Sequence, residues 1–134
     1  MMVSTKGRYA LRVMVDLAEN MSRGYVAMRE IAARQEISLK YLEKILPDLV
    51  EAGFVEGLHG RNGGYRLTRQ PENYTVGEIL RAAEGDLAPV VCLCEDEPCC
   101  DRAGDCRTRP LWEGLNNQIS GYLDGINLKT LMKQ

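Results

Sequence analysis

Residues 30–55 read EIAARQEISLKYLEKILPDLVEAGFV. Within this stretch Leu42, Ile45, Leu46, Leu49 and Val50 recur at the three-and-four spacing of a helix with one apolar side. Ser38 stands where it can cap that helix, and Gly53 stands where a glycine ends one. Pro47 has no N–H to give to the carbonyl of Glu43, so a bend or a lost hydrogen bond is expected there. A shorter helix precedes it over about Met28–Gln35, with Ile31 and Ala32 turned inward. Only Glu36 and Ile37 separate the two, and a pair of helices joined by so tight a turn is a helix-turn-helix.

Working outward, Ala10, Val13, Met14, Leu17 and Ala18 predict an N-terminal helix running to about residue 20, capped by Ser4 or Thr5. Towards the C-terminus, residues 54–58 and 65–67 predict two strands joined by His59-Gly60-Arg61-Asn62-Gly63-Gly64, a glycine-rich connection suited to a hairpin. Three helices followed by a hairpin make a winged helix-turn-helix. Thr75-Val76-Gly77-Glu78 is a capping box that opens a further helix to about residue 84. After a segment without periodicity, residues 110–125 form a long helix. Leu111, Leu115, Ile119, Tyr122 and Ile126 make a single stripe along it, widened by Trp112 and Leu123. A last turn of helix closes the chain at 128–132. The fold class is therefore mainly α with a small β-hairpin. A winged helix-turn-helix is expected over residues 1–84, and a cysteine-rich loop with a long C-terminal helix over 85–134.

The 134 residues suffice for a core without disulfides, and 45% hydrophobic with 27% charged residues is the balance of a globular chain. No apolar run is long enough to span a membrane, and the N-terminus lacks a secretory pattern, so a cytoplasmic protein with no membrane partner is expected. The net charge of -2 argues against a nucleic-acid binder only on average. Residues 1–69 hold 11 Lys and Arg against 8 Asp and Glu, whereas residues 70–134 hold 6 against 11. The basic excess lies in the half that carries the helix-turn-helix.

A recognition helix presents its first turns to base edges in the major groove. Here those residues are Ser38, Lys40, Tyr41, Glu43 and Lys44. Lys40 and Lys44 can meet phosphate or guanine, Ser38 can meet phosphate at the helix N-terminus, and Glu43 can accept from a cytosine amino group while repelling phosphate. The hairpin tip, His59, Gly60, Arg61 and Asn62, is the wing, and Arg61 is suited to a narrow minor groove. Lys6, Arg8 and Arg12 on the first helix can touch the backbone. The same fold also serves as a protein-interaction module, in which Lys40 and Lys44 would be an ordinary solvated face. His59 reads as a wing residue rather than a metal ligand.

The five cysteines run Cys92-x-Cys94-x4-Cys99-Cys100-x5-Cys106. Such clustering points to metal or redox chemistry rather than a disulfide framework. No CxxC pair of a structural zinc site is present, nor either ferredoxin spacing, so spacing alone indicates a soft-metal site of open type. Adjacent Cys99 and Cys100 rarely both ligate one small centre, which leaves at least one cysteine spare. Glu95, Asp96, Glu97, Asp101 and Asp105 are expected to raise the thiol pKa values in the absence of a cation. Unbound thiols, adventitious zinc and a reversible disulfide are the competing readings.

Residues 4–19 (STKGRYALRVMVDLAE), residues 30–55, the GRNGGYRL of 60–67, the VGEIL of 76–80, the cysteine loop and Leu111-Trp112 together resemble the Rrf2 family of regulators, over nearly the whole chain. The resemblance implies a homodimeric winged-helix binder of double-stranded DNA, with a near-palindromic operator. Its long C-terminal helices would cross through Leu111, Trp112, Leu115, Ile119, Tyr122 and Ile126. IscR-like members hold a [2Fe–2S] cluster on three cysteines, NsrR-like members sense nitric oxide through a cluster, and CymR-like members lack cluster cysteines and answer to a protein partner. By position the three ligands fall on Cys92, Cys100 and Cys106. The histidine that IscR-like members place three residues later is Arg109 here, which cannot ligate. The fourth ligand is thus open among Cys94, Cys99, a loop carboxylate and a group from the partner's first helix. The N-terminal acid of NsrR-like members is replaced by Arg8, whereas Glu43 matches the IscR-like recognition helix. The implied function is a non-enzymatic sensor of iron–sulfur, redox or nitric oxide status that controls iron–sulfur assembly or stress genes. An electron carrier, and a cluster-free repressor governed by thiol oxidation or a partner, are the alternatives.

Overall fold

The computed structural model describes residues 3–94 and 100–133. Helix α1 (Thr5–Glu19) is followed by a 3-10 turn (Met21–Arg23), α2 (Met28–Gln35) and α3 (Leu39–Glu51). Strands β1 (Val55–Leu58) and β2 (Gly64–Leu67) make the antiparallel hairpin, pairing Val55 with Leu67 and Leu58 with Gly64. Then come α4 (Val76–Glu84), α5 (Arg109–Asp124) and α6 (Leu128–Leu131). The architecture is the expected one: a mainly helical winged helix-turn-helix with one two-stranded hairpin and a long C-terminal helix.

The caps form as the sequence predicts. Ser4 accepts from Lys6 N, Ser38 accepts from the Tyr41 N–H, and Thr75 with Glu78 makes the reciprocal capping box. Ile37 before the cap and Leu42 after it are both buried, which staples the entry of α3. Pro47 lies inside α3 on its exposed side, and the helix continues through it to Glu51.

The core is the seam where α1, α2 and α3 meet. Ala10, Val13, Met14, Ile31, Leu42, Ile45, Leu46 and Leu49 are fully buried in it. Val50 departs from the expected stripe. It is 42% exposed, because its position on the helix turns it past the core edge towards the hairpin. Tyr74, which sequence periodicity does not single out, is completely buried beside Phe54 with the rings edge to face. Its hydroxyl donates to Phe54 O at 2.7 Å and accepts from the Thr68 and Arg69 N–H groups, both at 3.0 Å. A buried hydroxyl with three partners fastens both ends of the hairpin to the loop before α4.

Asp16 is the one charged residue buried among those described. Arg34 grips it with two hydrogen bonds of 2.9 and 2.8 Å, and Gln35 donates to it at 3.1 Å, so α1 and the end of α2 are clamped by a satisfied ion pair. A second, smaller apolar cluster of Val76, Leu80 and Leu87 receives Leu123 and Ile126 from the C-terminal helix and the residues after it. Leu128 then returns to the main core, where it is fully buried.

Burial pushes the Glu78 carboxyl upward, but the Thr75 N–H and the Arg69 guanidinium outweigh it, and the net pKa lies below the ordinary value. A carboxylate of this kind stabilises the fold fully above its unfolded-state pKa of about 4.3. That contribution disappears as the pH falls through the lower folded-state value. Glu78→Gln is therefore expected to lower stability by about 1 kcal/mol at pH 7. The gap to wild type should close on acidification below about pH 4, as read by urea unfolding across pH.

Candidate nucleic-acid interface and cysteine segment

Because α3 buries Leu42, Ile45, Leu46 and Leu49, its other sides carry Lys40, Glu43 and Lys44 outward, and all three are exposed. Ser38 is exposed at the helix start. Its oxygen accepts from Tyr41 N at 3.1 Å, which leaves the hydroxyl hydrogen for an acceptor outside. Tyr41 is half-buried, edge to face against Tyr9 at 5.3 Å, with the Lys44 ammonium 5.9 Å from its ring. It therefore has a packing duty between α1 and α3 besides any contact it offers to DNA.

The wing tip residues His59, Gly60, Arg61 and Asn62 are all exposed. Its reach is set at the base of the hairpin. Val26 and Tyr65 exchange two backbone hydrogen bonds of 2.8 Å, tying β2 to the strand-like entry of α2. Gly64 permits this, since a Cβ there would run into the Val26 carbonyl. Across the hairpin Glu56 pairs with Arg66, whose guanidinium also lies over the Tyr25 ring at 4.4 Å. Between wing and helix-turn-helix runs a groove of about 640 Å3, lined among others by Arg29, Pro47, Val50, Leu58, His59 and Arg61. Arg29 is exposed here at the start of α2, and the sequence reading did not name it. A lone arginine in the first turn of the first motif helix was the available signal.

The basic residues of α1 divide. Lys6 pairs with Asp48 of α3 at 2.5 Å while its side chain stays about one-third exposed. Arg8 is exposed and donates only locally, to Thr5 at 3.2 Å. Arg12 is bound to the Gln35 carbonyl and lies over the Tyr9 ring at 5.2 Å.

In the cysteine segment, Val91–Leu93 form a 3-10 turn. Cys92 and Cys94 are half-buried, and the Cys94 thiol lies 3.7 Å from Val90 O. Cys100 is exposed, and Cys106 is half-buried just ahead of α5. Cys99 and the acids Glu95, Asp96 and Glu97 lie outside the described residues. The expectation that acids raise the thiol pKa values fails at Cys106. Its pKa is lowered by the Thr108 hydroxyl at 3.4 Å and by the Thr108 N–H. Burial opposes the shift, while the Arg109 N–H and the charge of Arg102 assist it. A lowered pKa eases the deprotonation that ligation of a soft metal requires. Among the described residues no three His, Cys, Asp or Glu side chains converge as a metal-binding group. Arg109, where IscR-like proteins have histidine, pairs with Glu113 at 2.8 Å.

The stripe of α5 faces outward. Leu111 is 62%, Leu115 41% and Tyr122 69% exposed. Trp112, Ile119 and Ile126 are half-buried, Ile126 against the second cluster of this same chain. The helix is fixed to α4 by a two-pronged pair between Arg81 and Asp124, at 2.7 and 3.2 Å. In turn α4 is fixed to α1. Glu84 accepts from Ser4 N at 2.8 Å, from the Ser4 hydroxyl at 2.6 Å and from Gly7 N at 2.8 Å, and so caps the N-terminus of α1 from outside. Gly7 leaves the room, since a Cβ there would overlap the Glu84 carboxylate. Gly7→Ala is expected to cost about 2 kcal/mol by expelling that partly buried acceptor. Glu84→Ala should cost about 1–2 kcal/mol, and the double variant less than the sum of the two. Thermal and urea unfolding of the three variants measures this.

These features have counterparts. The Rrf2 model, described as iron-dependent transcriptional regulator, matches residues 3–134. The HTH-type transcriptional regulator IscR of Aliivibrio salmonicida is 38% identical over 132 residues, covering 98% of this chain and 77% of its own. Among solved structures, CymR, the global cysteine regulator of B. subtilis, superposes with TM-score 0.79 at 35% identity, covering 98% of this chain and 95% of that one. T. potens IscR superposes with TM-score 0.77 at 35% identity over 98% and 85%. These relatives are regulators and not enzymes. No helix among the described residues is long and apolar enough to cross a membrane. With the winged helix-turn-helix, the exposed polar side of α3 and a match over residues 3–134, this chain belongs to the Rrf2 family of DNA-binding transcriptional regulators.

Proposed function

We propose that the chain acts as a homodimer on a near-palindromic double-stranded operator, and that the cysteine segment reports iron–sulfur or redox status to the DNA-reading surface. The observation that carries the DNA part is the face of α3: Lys40, Glu43 and Lys44 are exposed opposite its buried stripe. Lys40 and Lys44 supply charge to phosphate or guanine, Glu43 discriminates by accepting from cytosine, and Ser38 donates to a phosphate. Tyr41 holds the helix against α1. His59, Gly60, Arg61 and Asn62 enter the minor groove, and Arg8 adds a backbone contact. Lys6 acts through Asp48, fixing α1 to the recognition helix. Pairing of Leu111, Trp112, Leu115, Ile119, Tyr122 and Ile126 across a two-fold axis would cover the exposed stripe of α5, a self-complementary contact.

Cys92, Cys100 and Cys106 are assigned as the thiolates for a [2Fe–2S] centre, with Cys94 or Cys99 completing the set. When bound, such a centre supplies a redox couple whose potential answers to its ligands and exposure. The protein's own part is transmission. From Cys106 the path runs along α5 to Asp124, through Arg81 to α4, through Glu84 to α1, and through Lys6 to Asp48 on α3. Coupling along such a path is worth about 1–3 kcal/mol in operator affinity. The target genes would be those of iron–sulfur assembly or stress. A second reading has its own support. The likeness to CymR and the lowered pKa of the Cys106 thiol fit a cluster-free repressor governed by thiol oxidation or by a protein partner.

Two measurements test this. Lys40→Ala and Arg61→Ala should each weaken operator binding by about tenfold and flatten its salt dependence. Unchanged affinity in both removes the DNA-reading assignment. Protein purified without oxygen should contain iron and sulfide and absorb in the visible, and the Cys92, Cys100 and Cys106 alanine variants should lose both. A colourless preparation selects the second reading.

A further inference from the structure

Several large apolar side chains remain exposed. Leu111, Leu115 and Tyr122 fall on the stripe assigned to dimer contact, and Val50 and Leu58 line the groove beside the wing. Leu39 belongs to neither set. It is the first residue of α3 and is 48% exposed, although the staple that secures this helix start is made by Ile37 and Leu42, which are 3% and 0% exposed. Among the described residues Leu39 belongs to neither apolar cluster. On either side stand the exposed Ser38 and Lys40, and Glu43 lies one turn on, along the same edge of the helix.

We propose that Leu39 is a specificity residue that reads the 5-methyl group of a thymine in the major groove. This rests on the DNA-reading face assigned above. The first turn of a recognition helix is the part that meets base edges. On those edges the thymine methyl is the apolar feature, complementary to an apolar side chain. Leucine offers no polar atom to the groove, so a cytosine or adenine amino group opposite it would lose its water without gaining a partner. Glu43 shares the edge and lies about 6 Å along the axis, four residues at 1.5 Å each. With base pairs stacked about 3.4 Å apart, the thymine read by Leu39 and the cytosine read by Glu43 lie within about two steps of each other.

The test uses the full-length dimer and a duplex recovered with it by in vitro selection. Each thymine is replaced in turn, in both half-sites, by deoxyuridine, which removes the methyl group alone. Wild type should lose about fourfold in affinity per half-site at one thymine near the cytosine sensitive to Glu43, the value of one buried methyl. Leu39→Ala should bind the thymine and deoxyuridine duplexes equally, with an unchanged thermal midpoint, since the side chain is not part of the core. Where alanine binds too weakly to titrate, Leu39→Val should show a reduced methyl effect. A wild type indifferent to every 5-methyl, or a methyl effect undiminished in the Leu39 variants, overturns this assignment while leaving DNA reading intact. A selection that recovers no duplex overturns both.

Discussion

The structure depends on the burial of one side of α3. Leu42, Ile45, Leu46 and Leu49 are all at zero exposure. Burying four such side chains is worth about 6–12 kcal/mol at the usual 1.5–3 each, as an upper bound. That is comparable with the whole net stability of a domain, about 5–15 kcal/mol. A helix of 13 residues is marginal alone, so this burial decides both that α3 exists and how it is rotated. That rotation fixes the outer side as well: once those four point inward, Lys40, Glu43 and Lys44 are left exposed.

Around that seam, directional polar contacts set the positions of the remaining elements. The Tyr74 hydroxyl fastens the hairpin, Asp16 with Arg34 clamps α1 to α2, Glu84 caps α1 from α4, and Arg81 with Asp124 holds α5. Apolar packing tolerates sliding, whereas a two-pronged ion pair or a carboxylate on two backbone N–H groups has one good geometry. The consequence is a chain of polar joints from the end of α5 through α4 to α1 and α2. Gly7 and Gly64 belong to the same logic, for each is small because a carbonyl or carboxylate passes where a Cβ would be.

Much of this was legible beforehand. The caps at Ser38 and Thr75, the boundaries of α2 and α4, and the hairpin followed from local rules, because a cap or a turn acts within a few residues. Val50 was misread because a helical period does not say how wide the buried stripe is. Arg29 was passed over because nothing local distinguishes it until the wing folds back to form the groove. The lowered pKa of Cys106 ran against the charge count of its segment, because the Thr108 hydroxyl and the Thr108 and Arg109 N–H groups act on the thiol directly.

The sequence by itself therefore determined which segments are helical, which are paired, and which side of each is apolar, since those properties are written in periods of two and 3.6 residues. It also determined which family the chain resembles, through the GRNGGYRL turn together with residues 4–19 and 30–55. Only the tertiary structure decided that Lys6 pairs with Asp48, that Glu84 caps α1, and that Tyr74 anchors the wing. Contacts between residues many positions apart depend on how the elements dock. No local period encodes that docking, and it settles which polar groups remain available to a partner.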